Sequence, residues 1–147
     1  MQLSQHFSKA EFEQSNTAIQ RGIVNVMDSK QTANAIELCK NVLEPLRAHL
    51  GIPIKLNCGY RSPSVNKAVG GAKSSQHLFG EAVDLDLHDR KVFEWIRDNL
   101  EFDQIIFEGG TCDVASWFHL SYRKGRNRKQ ALRMKKVNGK PTYIPFI

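Results

Sequence analysis

The 147-residue chain contains no apolar run approaching the ~20 residues of a membrane span, so no transmembrane helix is expected. Cysteine is scarce: Cys39, Cys58 and Cys112 are widely spaced and odd in number. That argues against a disulfide framework or a Cys-type zinc site, and favours reduced thiols. The start, "MQLSQHFSKAEF", lacks the basic-then-apolar pattern of a signal peptide. Synthesis in a cytoplasm is therefore expected, with any extracellular target reached by another route. Repeats and low-complexity linkers are missing too.

Acidic residues stop at Asp113. Nine of the 21 Lys and Arg follow it, leaving 12 cations against 15 acids in residues 1–113, a net −3 through Asp113 and +9 after. A basic tail of this kind suits a polyanionic partner, either nucleic acid or an anionic cell wall, or else a solvated face that aids solubility. No nucleic-acid-binding motif accompanies it, which ranks nucleic acid last among these partners.

What remains is an ordinary globular composition, 41% hydrophobic and 24% charged, at a length that suits one domain. Ser8-x-x-Glu11 has capping-box spacing and should open a short helix. "QTANAIELCKNVLEPLRAHLG" places Ile36, Cys39, Leu43, Leu46 and Leu50 on one helical stripe, with a kink at Pro45 and a stop at Gly51. "IPIKLNC" alternates as a strand. Ser62 and Pro63 should cap the next helix, and Asp89 the helix "DRKVFEWIRDNL". "EAVDLDL", "FDQIIFE" (102–108) and "WFHLSY" (117–122) read as further strands, the last two paired antiparallel across a Gly-rich loop. The expected fold is α+β: an antiparallel sheet with helices on one face.

Period-two alternation assigns the other face. Val83, Leu85 and Leu87 point one way and Asp84 the other; Gln104, Ile106 and Glu108 share a face, as do Trp117, His119 and Ser121. Asp84, Glu108 and His119 can then converge, and His77, in the loop before Asp84, can reach the same point. Two imidazoles and one carboxylate are a three-ligand zinc set with a fourth position open. A nearby carboxylate outside the ligand set would serve as general base. The plainer alternative makes His119 a half-buried strand histidine and Trp117 a packing residue. His6, His49 and His88 carry no assigned role.

"SSQHLFGEAVD" (74–84) resembles the S-x-H-x-x-G-x-A-x-D signature of the M15 metallopeptidases, the zinc D-Ala-D-Ala carboxypeptidases and related peptidoglycan endopeptidases. Ser75, His77, Gly80, Ala82 and Asp84 fill its five fixed positions. "CGYRSPSVN" (58–66), "FDQIIFE" and "WFHLSY" are similar as well. The resemblance is to the small single-domain branch of that family, its subfamily A, found in bacteria and phages, with a hedgehog/DD-peptidase fold. It extends over roughly 5–133, implying a single domain over 1–133 and a basic C-terminal extension over 134–147.

The resemblance implies Zn2+ held by His77, Asp84 and His119. Arg61 matches the arginine that faces the substrate carbonyl or terminal carboxylate, the alternative being a surface salt bridge. Ser75 matches a substrate-contacting serine, the alternative being a loop cap. One departure stands out. Many members place a catalytic glutamate three residues before the last histidine, where this chain has Ser116. The hedgehog-like fold instead places its glutamate at the end of the preceding strand, which makes Glu108 the candidate base and Asp113 the second choice.

The implied function is hydrolysis of D-amino-acid-containing bonds in peptidoglycan stem peptides by a monomer, as carboxypeptidase or endopeptidase. The basic tail would meet an anionic wall polymer. The alternative is a non-catalytic, zinc-containing wall-binding or phage structural module.

Overall fold

The structure, a computed structural model, describes all residues 1–147. Ser8 opens α1 (Lys9–Glu13) with the expected capping box: its hydroxyl accepts from Glu11 N, and the Glu11 side chain accepts from Ser8 N. A second short helix, α2 (Asn16–Arg21), follows a Ser15 cap and ends at left-handed Gly22; the apolar pattern does not announce it. α3 (Ser29–Leu38) passes through a π-helical turn (Cys39–Leu43) into α4 (Glu44–Leu50). The widened turn is how the helix accommodates Pro45, which has no N–H to give and crowds the preceding turn. Gly51, at φ 70°, ends α4 as expected. α5 (Pro63–Ala68) and α6 (Arg90–Asn99) begin at Ser62 and Asp89, both capping through their side chains.

Six strands form one sheet: β1 (Leu56–Cys58), β2 (Ala82–Leu85), β3 (Gln104–Glu108), β4 (Trp117–Ser121), β5 (Gln130–Val137) and β6 (Lys140–Pro145), in the order β1-β2-β4-β3-β5-β6. The architecture is α+β. Four strand pairs are antiparallel, but β3 and β5 are parallel, which corrects the expectation of an antiparallel sheet. The cause is Asp103, fully buried just before β3. It accepts from Arg128 N and from the Arg128 guanidinium at 2.9–3.0 Å. Lys129 N and Gln130 N then donate to Phe102 O and Asp103 O. The start of β5 is thereby pinned beside the start of β3, and the two strands run the same way.

The expected boundary between 133 and 134 falls inside β5. The expected C-terminal extension, 134–147, belongs for the most part to a β5–β6 hairpin that continues the sheet, turning at Asn138 (φ 53°) and Gly139 (φ 77°). Asn-Gly is the dipeptide that a two-residue hairpin turn with positive φ favours. The outermost strand, β6, carries Pro141 and Pro145, which lack N–H donors.

Alternate residues of the central strands pack inward. Val83, Leu85, Ile105, Phe107, Phe118 and Leu120 join Leu38, Val42, Leu46, Phe93 and Ile96 in a 24-residue core. Phe93 on α6 meets Phe107 and Phe118 edge-on, each at 5.4 Å between ring centroids. Burial of this kind contributes ~1.5–3 kcal/mol per large apolar side chain and fixes the strands in place. Asp84, Glu108 and His119 are carried on the opposite face.

Candidate metal centre

Strand register brings the centre together. On β2 and β4, Asp84 lies directly opposite His119; on β1, Cys58 lies opposite Asp84. Asp84 Oδ1 is 3.2 Å from His119 Nδ1 and 3.4 Å from His77 Nε2, so one carboxylate oxygen sits between two imidazoles. The two rings meet edge to face with centroids 5.2 Å apart.

His77 comes from a 3-10 turn (Gln76–Phe79), and the turn's sequence explains its shape. Ser75 caps it, its hydroxyl accepting from His77 N at 3.3 Å. Gly80 ends it at φ 72°, where an added Cβ would lie 2.4 Å from Gln31 O, so only glycine fits. Gln76 donates to the buried Asp103 at 2.8 Å, tying the turn to the sheet. His77 is 2% exposed. Its Nδ1 lies 2.6 Å from Gly59 O and donates there, which turns Nε2 toward Asp84. A backbone carbonyl holding one ring nitrogen so that the other can ligate is the usual support of a metal-binding imidazole. Burial pushes the Asp84 carboxyl upward, but hydrogen bonds with His119 and His77 outweigh it and hold the group well below the usual carboxylate range. An ionised carboxylate between two imidazoles fits a zinc-type cation and leaves room for a further ligand.

Glu108 stands at the end of β3, one strand from His119's β4, facing Trp117 in register. It is 7% exposed, and its carboxylate makes no side-chain hydrogen bond. Burial pushes it up to about 7, opposed by the charge of His119 and reinforced by that of Asp84. A carboxyl poised there can accept and return a proton near neutral pH. Ser116, at the position where many family members carry glutamate, donates its N–H to Glu108 O at 2.8 Å. The two backbone positions are thus immediate neighbours. Asp113, the second candidate, is exposed in a loop whose backbone is bonded to α6 through Arg90 N.

Arg61 forms no ion pair. Its Nη2 donates to Ser75 Oγ at 3.1 Å, its backbone N–H to His77 O at 3.1 Å, and its Nε is buried without a partner. Its charge is therefore free for an incoming carbonyl or carboxylate. Ser75 both caps the turn and orients Arg61.

Two neighbours escape sequence reasoning. Cys58, His77 and Asp84 have donor atoms within 4.8 Å of one another, and Cys58 Sγ is 3.8 Å from His77 Nδ1. The set-aside thiol is thus part of the cluster. Burial, and next the Asp84 charge, push it up to about 12, so it stays protonated. The register irregularity between Leu56 and Cys58 hides it from period-two counting. Tyr143, half-exposed on β6, is raised first by burial and then by the charges of Glu108 and Asp84; it lies opposite Met134, the β5 neighbour of Glu108. The remaining histidines stay apart: His6 pairs with Glu44, His88 with Asp86, and His49 stacks on Trp95 at 3.7 Å.

A family model described as Peptidase M15 matches residues 5–121. Over 81 residues the chain is 36% identical to the zinc D-Ala-D-Ala carboxypeptidase of Streptomyces albus G, a stretch covering 54% of this chain and 31% of that protein. The match thus spans less than a third of that relative's length.

Proposed function

The chain belongs to the Peptidase M15 family, and from that premise we propose that it is a zinc peptidase hydrolysing D-amino-acid-containing bonds of peptidoglycan stem peptides. The observation that carries the proposal is Asp84 Oδ1 set between His77 and His119, with buried Glu108 on the neighbouring strand. His77, Asp84 and His119 would hold the ion. Bound there, zinc supplies Lewis acidity toward the scissile carbonyl and the attacking water.

The rest is the work of this chain's side chains. Glu108, ionised, takes a proton from the attacking water and then gives it to the leaving amine. Its burial keeps that proton within easy exchange at neutral pH. Arg61, held by Ser75 and free of a counter-charge, steadies negative charge on the substrate carbonyl or a terminal carboxylate. Since the substrate lies outside the cytoplasm, the protein acts after export or release.

Metal analysis of the purified chain, together with mass spectrometry of digested peptidoglycan, tests the proposal. One zinc per chain and new amino termini at D-amino-acid bonds are expected. Released D-alanine would identify a carboxypeptidase, and internal cleavage an endopeptidase. Zinc without any new terminus would favour a non-catalytic wall-binding module, which the serine at position 116 makes the second reading. A chain holding no zinc would overturn both.

A further inference from the structure

We propose that Asn66 is a positioning residue for Arg61, and that the glycine at 71 provides the space through which it acts. This rests on the peptidase reading above, which gives Arg61 a substrate carbonyl or carboxylate to meet, and it specifies what aims the guanidinium.

Asn66 lies on α5 and is 5% exposed. Its backbone is fully engaged: the N–H donates to Ser62 O at 2.8 Å, and the carbonyl accepts from Gly71 N at 2.9 Å. Its Nδ2 donates to Ala72 O at 2.9 Å, which fixes the plane of the carboxamide. Ala72 O also accepts from Ser75 N at 3.1 Å, so the same carboxamide braces the loop that brings Ser75 to Arg61. Only Oδ1 is left, buried without a partner. A buried amide oxygen with no donor costs stability and calls for a reason.

The reason lies across the loop. A Cβ on Gly71 would stand 2.0 Å from Asn66 Oδ1 and 3.2 Å from Arg61 Nη1. The amide oxygen and the guanidinium therefore border one small space, kept open by the missing side chain. Gly71 is not among the glycines with positive φ, so its backbone would accept other residues. Contact alone calls for glycine here.

Arg61 is the complementary half. Its Nε is buried without an acceptor, while Nη2 donates to Ser75 Oγ at 3.1 Å. Ser75 thus holds one edge of the fork, and Asn66 presents the negative end of its amide dipole beside the other. The neutrality of that oxygen matters. It attracts the cation and steadies its direction, yet leaves the charge for a substrate. A carboxylate in the same place would pair with the guanidinium and neutralise it.

The test reads Arg61 directly. Nitrogen-15 NMR of the full chain should show a distinct, slowly exchanging Arg61 Nε–H signal, assigned by its disappearance in Arg61→Gln. Gly71→Ala, which drives a methyl group between Asn66 and Arg61, should shift that signal and speed its exchange about tenfold. Asn66→Asp, close in shape, should shift it by supplying a counter-charge, and covers the case in which the added methyl unfolds the loop. Lys67→Ala, exposed on the same helix, should leave the signal in place. Turnover of a soluble stem peptide by the zinc-loaded chain is the second arm. Gly71→Ala and Asn66→Asp should each lower kcat/KM about tenfold with zinc content unchanged. In an Arg61→Gln background each should cost less than about twofold, because residues acting through one another do not add. An Arg61 signal unmoved in both variants, or tenfold losses that persist without the arginine, would overturn the proposal. A zinc-loaded chain that cleaves nothing would sink the peptidase reading, and the NMR signal alone would then decide whether Asn66 aims Arg61.

Discussion

Glu108 and Phe107 are adjacent in sequence and face opposite sides of the sheet. Phe107 touches Phe93, Phe118 and Phe146 in a buried aromatic cluster. Glu108 has no hydrogen-bond partner for a carboxylate that is nearly as buried. The same alternation separates Leu85 from Asp84 and Phe118 from His119. One face contributes stability, and the other spends some of it to hold ionisable groups in a fixed arrangement. Strands locked by their apolar side can carry such groups without local support, which makes stability and chemistry separable by single residues.

The largest expected effect is on the reactive face. Glu108→Gln should keep the fold and the zinc while lowering turnover about 10²–10⁴-fold, read with a soluble stem peptide. Near-normal activity, with Asp113→Asn inactive, would transfer the base to the exposed loop. Its mirror on the inner face is Phe107→Ala, which should cost about 3–5 kcal/mol in denaturant unfolding. Activity per folded molecule should survive that change. Loss of activity in step with stability in both variants would erase the distinction between the faces.

The pH dependence of the metal-free chain is a smaller effect. Glu108 is raised from 4.5 to about 7, so the folded state holds its proton more tightly than the unfolded state. Its contribution is fully present below about 4.5 and is lost as pH rises to about 7, a decline of about 2–3 kcal/mol. Asp84 is depressed, so its contribution is present above its ordinary 3.8 and is lost as pH falls. Thermal melts should therefore show greatest stability in mild acid, and Glu108→Gln should flatten the decline above it. A decline that persists in that variant would assign it to another group. Smallest of all should be Cys58→Ser, which should leave zinc content unchanged if the two histidines and Asp84 suffice. Loss of the metal would add the thiol to the ligand set.

Much of the reactive face was legible because it obeys two periodicities. Alternation places Asp84, Glu108 and His119 together, and Ser8, Ser62 and Asp89 mark helix starts by the hydrogen bonds their side chains make. The irregular parts were not legible. Cys58 sits at a register shift, and the π-helical turn at 39–43 leaves the helical stripe intact. The hairpin is more instructive. Asn138-Gly139 signals it, but the density of lysine and arginine around that pair reads equally as a solvated tail. What decides is Asp103, whose buried carboxylate captures Arg128 from 25 residues away. Long-range pairing of that kind has no local pattern, and with it the parallel β3–β5 register went unread.

The sheet's two borders have a consequence for colloidal behaviour. β1 offers only three residues at one border, and at the other β6 carries Pro141 and Pro145 with exposed lysines on the adjoining strand. A bare strand edge is a template on which other chains add in register and grow into aggregates. Here one template is too short to grip, and the other is interrupted by two missing donors and surrounded by like charge. The protein can thus reach high local concentration without its sheets fusing into fibres.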